Sequence, residues 1–134
     1  AAVRTQLEGR AAGVASSVRT KEDLNDLSQN IAAFNAATTP EALAQLDVAY
    51  HELLCIISRE SWLIRAWQAI RWPFEALLVR NFRNYVAATS LAASKISTGD
   101  HLRILEAIER GEPLNAERLL CQHIARWEEW TPTH

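Results

Sequence analysis

Four side chains in this sequence have the types and spacing to hold a metal ion. Asp47 and His51 stand four residues apart in the run Leu43, Leu46, Asp47, Tyr50, His51, Leu54, Ile57. On a helix they project side by side, and from the apolar face. His101 precedes Ile104, Leu105 and Ile108 at helical intervals, and His123 sits among Ala116, Leu119, Leu120 and Trp127. Each imidazole is therefore expected on the core side of its helix. A buried carboxylate is costly unless it is paired, hydrogen-bonded or bound to a cation. One divalent ion would satisfy the carboxylate and the three imidazoles together, and Zn²⁺, Ni²⁺ or Co²⁺ suits that donor set. Ordinary core pairing is the competing reading, because an Asp–His pair at this spacing often makes only a hydrogen bond.

The coordination number decides what such a centre could do. Four protein ligands fill a tetrahedral site, which is then closed and structural. Five or six positions would leave room for water or a chelating anion. Arginines facing the same cavity would complete a carboxylate site through charge-assisted, often bidentate, bonds. Arg4, Arg59, Arg65, Arg80 and Arg83 are the candidates. Among the five tryptophans, Trp67 shares an inward face with Leu63 and Ile70 and is the one expected near a cavity; the others read as core or dimer-face packing. Hydrolysis would need a general base separate from the ligands. Glu52 is expected to point partly away from Asp47, and His134 is terminal, so an enzyme is not expected.

The elements that must position these residues are helices. The 134 residues suit one domain with one core, and the composition is 49% apolar with four glycines and four prolines. Helical spacing predicts helices over 1–17, from Thr20 through Phe34, over 40–59, 61–79, 82–95, 100–110 and 113–130. Thr20 with Asp23 resembles a capping box, and Thr39-Pro40 and Pro113 are start signals. Pro73 predicts a kink or break, Ser97-Thr98-Gly99-Asp100 a connector or cap, and Gly111 a stop. No strand or repeat is expected. The fold class is all-α: an antiparallel bundle of six or seven helices around a central metal-binding cavity.

A formal charge of −2, with 14 basic residues spread along the chain, gives little electrostatic drive toward nucleic acid. Cys55 and Cys121 lack CxxC spacing and read as reduced core or near-core residues. No apolar run is long enough to cross a bilayer, and no signal peptide opens the chain. A cytoplasmic location is the default expectation.

Four ordered segments carry a resemblance to a known family. They are Arg4-x-x-Leu7-Glu8 before an Ala-rich helix; Leu46-Asp47-x-x-Tyr50-His51-x-x-Leu54, with Tyr50 for the usual Phe; His101 through Glu112; and Ala116-x-x-x-Leu120-x-x-His123-Ile124. Together they resemble the FCD effector-binding domain, the C-terminal part of FadR-subfamily GntR-type bacterial transcription regulators. The resemblance covers nearly the whole chain and is least diagnostic from about 79 to 97. It implies that Asp47, His51, His101 and His123 bind a divalent metal, with Zn²⁺ the favoured ion and Ni²⁺ or Co²⁺ compatible, beside a small carboxylate or sugar-acid effector. It also implies a homodimer, with operator DNA bound through an N-terminal winged helix-turn-helix that is expected outside residues 1–134. One departure is Ser58-Arg59-Glu60-Ser61 where the family often has a Ser-Gly-Asn turn, so Glu60 is expected to alter that turn or the cavity rim. A helical interaction domain with a structural metal or none is the alternative, and a small metallohydrolase a more distant one.

Overall fold

The computed structural model describes residues 2–91 and 95–130, with side chains as far as Trp127. Six helices occupy these residues: α1 (Ala2–Val18), α2 (Lys21–Ala36), α3 (Pro40–Ser58), α4 (Ser61–Ala88), α5 (Ser97–Glu109) and α6 (Pro113–Trp130). The described residues contain no strand, so the fold is all-α, as the helical spacing predicts. His134 and the stretch 92–94 of the helix expected over 82–95 lie outside the described residues.

Local chemistry sets the boundaries. The Thr20 hydroxyl accepts from the Asp23 amide at 3.1 Å while the Asp23 carboxylate accepts from the Thr20 amide at 2.9 Å, a reciprocal capping box. Thr39 caps α3 by accepting from the Ala42 amide at 3.1 Å, and Pro40 fills the first turn, where a missing N–H costs nothing. At the end of α5, Gly111 takes φ +69°. The Glu112 amide then reaches the Ala107 carbonyl at 3.0 Å and the Gly111 amide reaches that of Ile108 at 3.1 Å, a Schellman closure. α3 ends instead on Arg59 at φ 59°, a conformation that costs a residue with a Cβ roughly 1–2 kcal/mol. The Arg59 guanidinium offsets part of this by donating to the Ile57 carbonyl at 2.8 Å and to Asp23 at 2.9 Å.

Two expectations are corrected. Of the kink or break expected at Pro73, the break does not occur: α4 runs unbroken from Ser61 to Ala88, merging the segment expected at 61–79 with residues 82–88 of that expected at 82–95. Pro73 is exposed, so the carbonyl it leaves without an amide partner is on the solvent side, while buried Leu63 and Trp67 before it and Phe74 and Phe82 after it hold both halves to the bundle. Residues 97–100 are likewise not a connector. They form the first turn of α5, and Asp100 does not cap it, because its carboxylate is taken by other partners.

α1 packs mainly on α6 and α3, and α3 is also flanked by α2 and α4. Gly9 permits the close approach of α1 to α6: a Cβ there would stand 3.0 Å from Cys121 Sγ. The main core includes Leu27, Leu54, Leu63, Trp67, Ile104, Ile108 and Leu120. A smaller cluster around Phe34, Leu43 and Phe82 joins the C-terminal part of α4 to α2 and α3. No described helix is long and apolar enough to cross a membrane.

Candidate metal centre

α3 carries Asp47 and His51 one turn apart, α5 carries His101 and α6 carries His123. All four are buried, and one ligand atom from each lies within 4.8 Å of the others. His51 Nε2 is 3.1 Å from Asp47 Oδ1, and His101 Nε2 is 3.7 Å from the same oxygen. The imidazole centroids are 5.8 Å apart for His51–His101, 5.6 Å for His51–His123 and 4.9 Å for His101–His123.

The donor set fits a divalent ion. Asp47 Oδ1 and both ring nitrogens of His101 are buried with no hydrogen-bond partner among the described residues. The 3.1 Å approach of His51 to Asp47 is therefore an electrostatic contact without hydrogen-bond direction. Buried polar atoms are normally satisfied, and here the unsatisfied ones converge on one point. One carboxylate and three imidazoles form a borderline donor set that suits Zn²⁺, Ni²⁺ or Co²⁺.

The electrostatics of the protein without an ion are strongly perturbed. Burial alone would raise the Asp47 carboxyl, but His51, followed by His101 and His123, holds it well below the usual carboxylate range. Burial would lower His51, yet Glu8 and Asp47 outweigh it and raise the imidazole from 6.5 to about 9. His101 is pushed well below 6.5, chiefly by burial, which Asp47 opposes and the neighbouring His123 and His51 reinforce. One centre thus holds a proton-retaining His51 beside a neutral His101.

The walls are aromatic. Tyr50 stacks on His101 at 3.8 Å with the rings 4° from parallel, and its hydroxyl donates to the His101 carbonyl at 3.0 Å. That bond gives the hydroxyl of this residue, Phe in the usual signature, a buried partner. Trp67 is fully buried, lies near-parallel to His51 at 6.3 Å and donates from Nε1 to Glu52 at 3.1 Å. Glu52 also pairs with Arg71 at 2.9 Å, so it is directed away from the four ligands.

The arginine candidates separate by position. Arg4 bonds Glu8 at 2.7 Å, and its guanidinium lies 3.7 Å from the centroid of Phe74, whose ring meets His51 edge-on. Arg59 is engaged at the α2–α3 junction described above. Arg83 pairs with Glu41 on the surface, and Arg65 and Arg80 are exposed. Glu60 forms a two-pronged ion pair with Arg10 at 2.9 and 3.1 Å, linking α1 to the start of α4. Cys55 and Cys121 are free thiols, and burial pushes Cys55 up to about 12, which makes it inert near neutral pH.

Sequence reasoning gave two residues beside the centre no part in it. Glu8, buried on α1, contacts His51 Nδ1. Asp100 on α5 contacts His123 Nδ1 at 2.8 Å. The available signals were an acid inside the small-residue stripe of α1 and an acid directly before His101.

Residues 1–126 match the family model of the FCD domain. No curated protein matches the chain.

Proposed function

Because the chain belongs to the FCD-domain family, the C-terminal effector-binding domain of GntR-type regulators, we propose that it senses a small organic acid beside a divalent ion. Asp47, His51, His101 and His123 would hold the ion, which would make the domain one of the metal-binding type of the FadR subfamily. The observation that carries this reading is the convergence of four buried ligand atoms within 4.8 Å. When bound, the ion supplies positive charge and, if five- or six-coordinate, a position for a carboxylate oxygen. Zn²⁺ is the favoured ion, with Ni²⁺ and Co²⁺ compatible.

The chain's own residues would do the rest. Arg4 is the arginine best placed to meet an effector carboxylate, because its guanidinium already sits on the Phe74 ring beside His51. Trp67 and Tyr50 exclude water and fix the imidazoles. In the intact regulator, a cytoplasmic homodimer would bind operator DNA through a separate domain, and effector affinity would differ between competent and incompetent arrangements of that dimer.

Burial of all four ligands also suits a purely structural ion in a helical interaction domain. Calorimetry separates the two readings. The sensing reading expects one Zn²⁺ per chain, followed by saturable binding of a small mono- or dicarboxylate only to the ion-loaded protein. It expects His51→Ala to weaken Zn²⁺ by more than the roughly 100-fold that losing an outer-shell partner can cost. Full affinity in H51A would sink the site assignment. Ion uptake with no carboxylate binding across a panel of such acids would leave the structural reading.

A further inference from the structure

Two of the three imidazoles in the centre use their second nitrogen in the same way. His51 Nδ1 meets Glu8 Oε1, and His123 Nδ1 meets Asp100 Oδ2 at 2.8 Å. Neither carboxylate belongs to the ligand set, and each comes from a helix other than that of the histidine it holds. Glu8 is fully buried and Asp100 is 5% exposed. Each is fixed from its far side: Glu8 by Arg4 at 2.7 Å, Asp100 by Arg126 at 2.6 Å and Arg103 at 2.5 Å. Among the described residues His101 has no such acceptor, and its ring is held by stacking on Tyr50.

Burying two further carboxylates is costly, and simple packing does not require it. We infer that Glu8 and Asp100 are positioning residues for the ion, holding His51 and His123 as Nδ1–H tautomers with Nε2 turned to the centre. A carboxylate accepting the Nδ1 proton fixes both ring orientation and tautomer, and makes the opposite nitrogen a better donor to a cation. Through Glu8, α1 is tied to a centre to which it contributes no ligand. This inference rests on the metal reading above.

The test uses the full chain, stripped with a chelator and reloaded with Zn²⁺ or Co²⁺ alone. Glu8→Gln and Asp100→Asn preserve size and remove the charge. Each is expected to weaken Zn²⁺ by about 10- to 100-fold in competition with a chromophoric chelator, and to alter the Co²⁺ d–d spectrum. E60Q, which breaks an ion pair remote from the ligands, is expected to do neither. A folded E8Q and D100N that bind within twofold of wild type, with unchanged Co²⁺ spectra, overturn the inference while the metal reading stands. A wild-type chain that takes up neither ion ends both. Nitrogen NMR of the Zn²⁺-loaded wild type needs no variant to fold: Nδ1–H with metal-bound Nε2 at His51 and His123 is expected, and the reverse assignment overturns the inference.

Discussion

At the scale of single residues, His51 is where the charges of the centre meet. In the protein without an ion, Glu8 and Asp47 raise its pKa from 6.5 to about 9 against the opposing effect of burial. A raised imidazole pKa contributes stability that is complete below the unfolded value and is lost as pH rises through the folded one. The urea midpoint of the ion-free chain should therefore carry a falling contribution between about pH 6.5 and 9. The same proton must leave before the nitrogen can ligate, so near pH 7.5 uptake of Zn²⁺ should release about one proton. Calorimetry in buffers of different ionisation enthalpy reads that number, and no release would contradict the proposed protonation of His51. The cluster of Asp47, His51, His101 and His123 was legible at this scale because each polar residue interrupts an apolar stripe. Glu8 and Asp100 were not, since their roles depend on which histidine of another helix they meet. Helical periodicity fixes a face but not a partner across the bundle.

At the scale of elements, the capping box at Thr20, the Thr39-Pro40 start and the Gly111 stop were readable because they are local chemistry. α4 was not, because its continuity through Pro73 depends on burial of Leu63 and Trp67 before it, and of Phe74 and Phe82 after it, by other helices. The proline still leaves one carbonyl without its amide, and Pro in a helix interior is about 3 kcal/mol worse than Ala. Pro73→Ala should therefore raise the unfolding free energy, by up to about 3 kcal/mol, while Zn²⁺ affinity stays at the wild-type value. An unchanged or lowered denaturation midpoint would show that α4 is relieved of this cost in some other way. Gly111→Ala should act oppositely, destabilising by about 1 kcal/mol, because the alanine Cβ is strained at φ +69°. The start of α5 was misplaced for a related reason. Asp100 has the chemistry of a cap, but tertiary partners take its carboxylate.

At the scale of the whole molecule, the four clustered residues join α3, α5 and α6, and Glu8 ties α1 to them. Without an ion, the domain buries an Asp47 oxygen and two His101 nitrogens that lack hydrogen-bond partners among the described residues. Ion binding to the folded chain alone would stabilise it by about 2.7 kcal/mol at a free concentration one hundred times Kd. A chelator should therefore lower Tm, and Zn²⁺ should restore it. Family membership and the all-helical fold agree with what the ordered motifs implied. The identity of the proposed effector was not legible, because it would depend on the shape and open coordination positions of the loaded site. The central claim is that this set of four residues holds the ion, and a crystal structure of the Zn²⁺-loaded chain with data at the zinc edge tests it most directly. The expected result is one anomalous peak about 2.0–2.2 Å from an Asp47 oxygen and from one nitrogen each of His51, His101 and His123. A saturated crystal with zinc only at surface residues, and no peak among these four, would contradict it.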